Sequence, residues 1–451
     1  MGGGTAGYVA ALRAAQLGGK VALVEREKVG GTCLRRGCIP SKALLTSSEA
    51  YYRAKNAREF GISVGSVEAS MPEIIARKDK IVDTLTRGVE FLLKRAGVQT
   101  IYGSGKFIEQ QVIEVHSNTG ESITLAGRSV IICTGSEPAQ LPGLDFDGRL
   151  VLNSTDALNL QELPESIVII GAGALGCEFG TFYADLGSEV TIVEMLPHVL
   201  PAEDDEIAKI IDRELGKKSI KVRIGVKVEK VTRGDKSVLI DLSDGQQVSA
   251  ERILVSVGRS FNSAEIGLDK AGVKVERGRI VVNSRMQTGV PNMYAAGDVT
   301  GGWLLAHVAS AEGTVAAFNA MGKRREMDYR VIPRCTFTSP EVASVGLTEK
   351  QAREAGIEIM TGVFQLRASG RAMAMGAWQG KVKLIADSQN DRLIGAHIAS
   401  ANASELIGEL ALAMDFEATI EDLERVVRAH PSLVEAIGEA ADALHGRPLH
   451  S

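Results

Sequence analysis

The chain reads as an α/β protein made of two doubly wound dinucleotide-binding domains followed by an α+β carboxy-terminal domain. Three observations predict this class. A glycine fingerprint occurs twice, as Gly2-x-Gly4-x-x-Gly7 and Gly171-x-Gly173-x-x-Gly176, and each copy opens a helical stretch followed by an apolar strand. Each strand ends in a glutamate, and the first glycine and that acid are 23 positions apart in both copies, 2 to 25 and 171 to 194. Residues 331–451 then alternate strands and helices without a third fingerprint. One such motif is weak evidence; two with an acid at the same offset are strong evidence for Rossmann-like units.

The first copy predicts a helix through Leu17 and a strand from Lys20 to Val24 with Glu25 at its end. In the second, a buried strand at Ile167–Ile170 runs into Gly171, then a helix to Leu186 and a strand at Val190–Val193 with Glu194 at its end. The glycines permit the tight turn and the close approach of backbone to a pyrophosphate, which unpaired N–H groups at the helix start attract. Glu25 and Glu194 are placed to accept hydrogen bonds from a ribose. Met195-Leu196-Pro197 follow Glu194 and no Arg or Lys occurs until Lys209. NAD is therefore expected rather than NADP, whose 2′-phosphate the carboxylate repels.

Between the copies, Ser70-Met71-Pro72-Glu73 has the form of a capping box, and Ile74, Ile81, Val82, Leu85, Val89, Leu92 and Leu93 keep helical spacing. Short runs from Val98 to Ile132, broken at Gly103, Asn118-Thr119-Gly120 and Gly127, predict a β-meander that Thr134-Gly135 ends. Asp244-Gly245 predicts a hairpin in the second unit, which runs to Gly258-Arg259. Met293 to Asp298 predicts a strand that delivers an acid to a cofactor hydroxyl. Further strands are expected at 343–345, 381–385 and 393–398, and helices at 404–414 and 433–444.

Cys33 and Cys38 lie in the run from Gly30 to Lys42, directly after the first fingerprint unit. On a regular helix residues five apart have Cα atoms roughly 8.6 Å from each other, whereas a disulfide tolerates about 4.4–6.8 Å. Closure of the pair requires a distorted turn or a broken helix, and Gly37 is where the backbone leaves helical geometry most easily. Two unrelated thiols are the bland reading; the position beside a nucleotide site favours a redox pair. Cys133, Cys177 and Cys335 read as small core residues. His430 precedes a proline, where structural histidines are common, and Glu435 is placed to hold one ring nitrogen and raise basicity at the other.

A net charge of -5 without a basic stripe argues against a nucleic-acid or anionic-membrane partner. No run approaches the roughly 18–20 apolar residues of a membrane span, and no secretory signal pattern occurs. Five cysteines in 451 residues are too sparse for a disulfide scaffold. The expectation is a cytoplasmic protein with no metal, an organellar matrix staying open because a strand of about ten residues, with any leader, is expected ahead of Met1.

On Gly30 to Lys42, the two fingerprints, Gly258-Arg259 with Asn262, Thr288 to Asp298, Leu305-Ala306-His307, Ala401 to Ile407 and Ala429-His430-Pro431 with Glu435, the chain resembles the flavoprotein disulfide reductases. Within them it is most similar to the dihydrolipoamide dehydrogenases. The resemblance implies FAD at Gly2, Gly4, Gly7, Glu25, Lys42, Thr134, Gly135, Asp298 and Ala306, and NAD at Gly171, Gly173, Gly176, Glu178, Glu194 and Gly258. It implies an FAD domain at 1–140 completed by 266–330, an NAD domain at 141–265 and a dimerisation domain at 331–451. It further implies that Cys38 lies next to the flavin, that Cys33 exchanges with substrate, that Lys42 and Glu178 pair near the flavin, and that His430, oriented by Glu435, serves the cysteines of the other subunit of a homodimer. The expected partner is a lipoyl domain of a 2-oxoacid dehydrogenase, acetoin dehydrogenase or glycine cleavage complex.

Arg35-Arg36 departs from the family's uncharged pair and is expected to lower thiol pKa or favour an acidic partner; Phe261 replaces the usual proline. A glutathione reductase is the main alternative among enzymes, but the basic residues for NADP are missing after Glu194. A non-catalytic flavin-carrying subunit is the alternative from another class, and the retained Cys33, Cys38 and His430 argue against it.

Overall fold

Glycine turns and apolar runs alternate through the amino-terminal two thirds of the chain, and the strands they bound form several small sheets around two parallel cores. The computed structural model describes residues 1–450. The first unit holds α1 (Thr5–Gln16), β1 (Ala22–Glu25), α2 (Cys38–Lys55), α3 (Met71–Arg95), β2 (Gln99–Glu109), β3 (Val112–Ser117), β4 (Ser122–Ala126), β5 (Val130–Ile132) and β6 (Ser136–Pro138). Its sheet runs β1-β2-β3-β4. β2, β3 and β4 form the expected antiparallel meander. Two details differ from the sequence reading. Gly103 lies inside β2 rather than at a break, because a Cβ there would stand 2.4 Å from the His116 carbonyl oxygen on the neighbouring strand. β5 leaves the meander and pairs in parallel with a strand 163 residues on, Val130 against Met293. Ser70 does cap α3 by accepting from the Glu73 N–H, although Leu85 and Leu92 turn outward from its buried face.

The second unit holds β7 (Val151–Leu152), α4 (Ser154–Ala157), β8 (Ser166–Ile170), α5 (Ala174–Leu186), β9 (Glu189–Val193), α6 (Asp205–Lys217), β10 (Lys221–Arg223), a meander of β11 (Val228–Arg233), β12 (Val238–Leu242) and β13 (Gln247–Ala250), and β14 (Arg252–Val255). Its parallel sheet has the order β10-β9-β8-β14-β7. β8 is central, which explains its unbroken apolar run. Gly171 donates to the Val193 carbonyl and Ser256 to that of Ile170, both at 2.8 Å. The first unit repeats this: Gly2 donates to Val24 at 2.8 Å and Cys133 to Met1 at 2.7 Å. The chain then passes through β15 (Arg259–Phe261), β16 (Val275–Glu276), β17 (Arg279–Ile280) and β18 (Met293–Ala295), and returns to the first unit as α7 (Ala306–Ala320), which packs on α1.

The carboxy-terminal unit contains β19 (Arg334–Thr336), β20 (Glu341–Gly346), α8 (Glu349–Glu354), β21 (Ile359–Gln365), α9 (Gly370–Ala374), β22 (Lys381–Asp387), β23 (Leu393–Ser400), α10 (Ala403–Asp415), α11 (Ile420–Glu424) and α12 (Glu435–Leu444). Its antiparallel sheet has the order β19-β20-β23-β22-β21. α12 buries Ala436, Ile437, Ala440, Ala441 and Leu444. It packs against β21, where Gly362 is needed because a Cβ would stand 2.1 Å from the Ala440 oxygen. That close approach sets where Glu435, the first residue of α12, projects. Cys335 is half-buried, not a core residue, because β19 lies at the sheet edge. Among the described residues no helix is long and apolar enough to cross a membrane.

Register places Arg334, Ser344, His397 and Lys383 side by side across β19, β20, β23 and β22. This polar row meets acids of the second unit and Glu349 of its own unit. Lys383, 2 % exposed, donates to Asp204 at 3.1 Å, Glu206 at 2.9 Å and Glu349 at 2.8 Å, while Arg334 lies 3.5 Å from Glu203. Glu206 is held down to about 2: burial opposes this, but Lys381 and Lys383 donate to it. His397 bonds the Leu347 carbonyl through Nε2 at 2.9 Å. Burial lowers its pKa, outweighing the Leu347 bond and the nearby Asp204 and Glu203 charges.

A depressed histidine pKa makes the unfolded chain the better proton binder below the free-histidine value, so stability falls as pH drops through that value. Tm is expected to decline between about pH 6.5 and 5 more steeply in the native protein than in His397→Gln. Parallel Tm profiles for the two proteins would contradict this.

Candidate active site

The two fingerprints adopt closely matching backbone conformations. Gly2 and Gly171 have φ of +97° and +101°, and a Cβ at either would strike the carbonyl oxygen of Cys133 or Ser256 at 2.1 and 2.3 Å. A Cβ at Gly7 or Gly176 would meet the oxygen of Gly2 or Gly171 at 1.8 and 1.9 Å. At Gly4 and Gly173, by contrast, the nearest atom is 3.7 Å away or beyond 4 Å, so the second glycine faces open space at the start of α1 or α5. That is the cradle a pyrophosphate requires.

The paired acids also match. Glu25 accepts from the N–H groups of Gly3 at 2.6 Å and Glu27 at 2.8 Å; Glu194 accepts from Ala172 at 2.7 Å and Leu196 at 2.8 Å. Each carboxylate is thus tied to its own glycine turn, leaving lone pairs for ribose hydroxyls. The residues present fit one dinucleotide in each unit. Strand pairing also brings Arg223 beside Glu194, whose N–H bonds the Arg223 carbonyl at 2.8 Å. The linear sequence hid this basic neighbour, but its guanidinium pairs with Asp244 at 3.7 Å.

Glu194→Ala is expected to raise KM for NAD+ roughly ten- to a hundredfold, the worth of about 1.5–3 kcal/mol for bonds to a charged group. It is also expected to narrow the preference over NADP+. Steady-state kinetics with both nucleotides checks this, and an unchanged KM for NAD+ would rule out the ribose contact.

In the first unit a cleft of about 530 Å³ is lined by Gly2, Gly4, Glu25, Thr32, Arg36 and the turn from Thr134 to Glu137. Thr134 and Gly135 are strapped to the segment after β15: Thr134 donates to the Asn262 carbonyl at 2.6 Å, and Asn262 donates to the carbonyls of Thr134 at 3.0 Å and Gly135 at 2.9 Å. Gly258, φ +122°, turns the chain into β15. Asp298 follows β18, accepts from Ser136 and lies 3.6 Å from Arg259, which donates to Ser136 Oγ at 2.6 Å. Ala306 begins α7. The same helix carries buried Glu312, which accepts from the Gly297 N–H and the Tyr329 hydroxyl, each at 2.7 Å. Ser136 and Glu312 had no local motif to announce their parts in this arrangement, whereas Arg259 belongs to the Gly258-Arg259 signature.

The cysteine segment is distorted, as disulfide geometry demands. Thr32–Arg36 forms a π-helical turn, Gly37 has φ −150° and ψ −110°, and α2 restarts at Cys38. Both thiols are free, and they are unequal. The Cys33 hydrogen bond holds Cys38 down to about 7 against the opposing effect of burial, with the Lys42 charge assisting. Cys33 is pushed up by the same bond, by burial and by the Cys38 charge. Arg35 and Arg36 do not act on the thiols as the sequence suggested. Their guanidinium groups turn back to Glu27 at 3.2 and 3.5 Å, and the cation acting on both sulfurs is Lys42.

Lys42 lies one turn beyond Cys38 on α2 and meets Glu178 of α5 at 2.9 and 2.8 Å. Glu178 is 3 % exposed and also accepts from the Phe337 N–H at 3.0 Å, so this pair joins all three units. His430 Nδ1 is 2.8 Å from Glu435 Oε1, and Ser432 N–H donates to Oε2 at 2.7 Å. Burial acts to raise the Glu435 pKa, but the Ser432 and His430 bonds bring it below the usual carboxylate value. With Nδ1 so held, Nε2 is the ring nitrogen left without a partner among the described residues. His430 is 82 % exposed on this chain, and Glu435 is its only hydrogen-bond partner among the described residues.

Residues 1–313 match the family Pyridine nucleotide-disulphide oxidoreductase, and residues 332–441 match its dimerisation domain. The chain belongs to this family. It is 43% identical to dihydrolipoyl dehydrogenase 2, mitochondrial, of Arabidopsis thaliana over 458 residues, covering 100% of this chain and 90% of the relative. It is 42% identical to dihydrolipoyl dehydrogenase of Bacillus subtilis (strain 168) over 464 residues, covering 100% and 98%. Among solved structures, LpdA from Mycobacterium tuberculosis superposes with a TM-score of 0.93 at 29% identity, over 98% of each chain. The HOCl-induced flavoprotein disulfide reductase RclA from Escherichia coli gives 0.87 at 30% identity, again over 98% of each.

Proposed function

We propose that this oxidoreductase is a dihydrolipoamide dehydrogenase, a homodimer that oxidises protein-bound dihydrolipoamide and reduces NAD+ by way of the Cys33–Cys38 pair and FAD. The observation that carries the reading is the placement of Cys33 and Cys38 on a broken helix beside the Lys42–Glu178 pair, in a chain 43% identical over its whole length to a dihydrolipoyl dehydrogenase. Residues 1–140 with 266–330 are assigned to FAD, 141–265 to NAD and 331–451 to the dimer. The partner is assigned as a lipoyl domain of a 2-oxoacid dehydrogenase, acetoin dehydrogenase or glycine cleavage complex. A cytoplasmic or organellar-matrix site fits relatives that include a bacterial enzyme and plant mitochondrial ones.

In the oxidised enzyme Cys33 and Cys38 share a disulfide. His430 of the facing subunit removes a proton from one dihydrolipoyl thiol through Nε2, while Glu435 holds Nδ1 and stabilises the imidazolium. The thiolate attacks Cys33, the Cys33–Cys38 bond breaks, and Cys38 leaves as thiolate. The second lipoyl thiol then attacks the first lipoyl sulfur, closing the lipoyl disulfide and returning Cys33 to the thiol form. Lys42, pinned by Glu178, keeps a positive charge near the Cys38 anion. Bound FAD would supply an acceptor for the electron pair of the reduced cysteines, and NAD+ would accept that pair in turn as hydride.

Side-by-side assay with free dihydrolipoamide, lipoyl-domain protein and glutathione disulfide tests the proposal. Turnover with the first two is expected, and turnover with glutathione disulfide alone would overturn it.

A further inference from the structure

One cavity of the molecule draws its walls from two units. Glu206, Lys209, Ile210 and Arg213 follow one another at helical spacing and form a single stripe on α6. Opposite stand Gln365 at the end of β21, Arg367 in the turn beyond it, and the run from Trp378 to Lys381 that leads into β22. The cavity measures about 420 Å³, within the roughly 300–1,000 Å³ of small-molecule sites, and no fingerprint glycine lines it. Its floor is fixed. Gln365 pairs with Lys381 across the hairpin, Leu366 donates to the Gly380 carbonyl at 3.1 Å, and a Cβ at Gly380 would stand 2.0 Å from the Ala399 oxygen of β23. The helical wall is tied to that floor where Lys381 and Lys383 donate to Glu206 at 2.6 and 2.9 Å. Strand alternation sends these two lysines toward α6, whereas Val382 and Leu384 join the core that holds Ile437 and Ala440 of α12. The cavity therefore lies on the face of the sheet opposite α12, apart from the His430–Glu435 pair.

The groups inside it are unevenly matched. Glu206 is the one acid of the lining and is already shared by two lysines, while Arg213 donates to Glu214 at 3.1 Å. Lys209 and Arg367 have neither an ion pair nor a side-chain hydrogen bond among the described residues, and the side-chain amides of Gln365 and Gln379 are likewise free. Single solvated cations are ordinary; gathered in a concavity with low-dielectric walls they focus their field and concentrate anions there. A guanidinium fork and an ammonium suit phosphate oxygens. Trp378 is exposed and offers a flat π surface of the kind on which any nucleobase stacks. Lys217, next on the same stripe of α6, lies 5.9 Å from the centre of its ring and brings the indole against the helix. The two glutamine amides supply donors and acceptors for the edge of a base.

We propose that this cavity binds a nucleoside 5′-phosphate, with the phosphate held by Lys209 and Arg367 and the base laid on Trp378. It is a third nucleotide site, separate from the two fingerprints, and its occupant ties the second unit to the carboxy-terminal one.

Trp303 and Trp378 are the two tryptophans of the chain, so Trp303→Phe leaves Trp378 as the sole indole reporter. The holoenzyme of this variant is titrated with AMP, GMP, UMP or CMP in saturating NAD+, which fills the second fingerprint. Saturable quenching of Trp378 fluorescence by at least one of the four is expected, with its nucleoside and inorganic phosphate each binding about tenfold more weakly. Adding Arg367→Gln or Lys209→Gln is expected to raise the nucleotide Kd about tenfold, the loss of one bond to a charged group, with dihydrolipoamide turnover unchanged. Arg371→Gln, outside the cavity, is the control and keeps the Kd. Should Trp303→Phe fail to fold, equilibrium dialysis of the otherwise native holoenzyme with radiolabelled nucleotide gives the same comparison. Absence of saturable binding by all four nucleotides overturns the proposal, as does binding that both substitutions leave undiminished. Inorganic phosphate that binds as tightly as the nucleotide overturns it too, since Trp378 would then have no part.

Discussion

Replacing Cys33 with serine is expected to reduce dihydrolipoamide oxidation roughly 10⁴-fold or more, the scale seen when a nucleophile that acts as part of a unit is removed. FAD should remain bound, because Cys33 is not among the residues that line the first-unit cleft. The serine hydroxyl can still donate to Cys38, so the thiolate, set at about 7 in the native pair, should persist near neutral pH. Absorbance titration of the variant between pH 5 and 9 follows that thiolate through its long-wavelength interaction with the flavin. A variant that loses FAD on purification would mean that Cys33 serves structure instead.

The second large effect is expected at His430. His430→Ala should cost roughly 10²- to 10⁴-fold in kcat, the usual contribution of a positioned acid/base. The imidazole projects from this chain with only Glu435 to hold it, which suits a group that serves a second subunit. Reassociating inactive His430→Ala and Cys33→Ser proteins at random makes half of the dimers mixed, each with one intact pairing of Cys33 and His430. Recovery of about a quarter of native activity is therefore expected under two-fold symmetry. Mixed dimers with no activity would place His430 in the site of its own chain.

The parts of this site that were legible in the sequence are those determined by local backbone. The glycines of each fingerprint are dictated by a turn of a few residues, and Glu25 and Glu194 return to that turn through a fixed strand–helix spacing. Gly37 signalled the broken helix because disulfide geometry leaves few alternatives. Long-range pairing was not legible without the resemblance: Lys42 and Glu178 are 136 positions apart, and nothing local joins them. Arg223 reached Glu194 through β10–β9 pairing, and β5 joined β18 because parallel strands pair through long crossovers, here with a neighbour far along the chain. Arg36 misled because charge was weighed by position in sequence, whereas side-chain direction decides what a guanidinium acts on.

The Lys42–Glu178 pair has a thermodynamic consequence. Glu178 lies one turn beyond Ala174, where α5 leaves the second nucleotide turn, and its charge opposes that of Lys42 at the Cys38 sulfur. Nucleotide occupancy and thiol acidity therefore have one rod in common, and any dependence between them must be mutual. If bound NAD+ shifts the acidity of Cys38 by some factor, the ionisation of Cys38 shifts NAD+ affinity by that same factor. The enzyme is expected to behave as a transducer with two terminals, in which sulfur reports the state of the nucleotide site and the nucleotide site reports the state of sulfur.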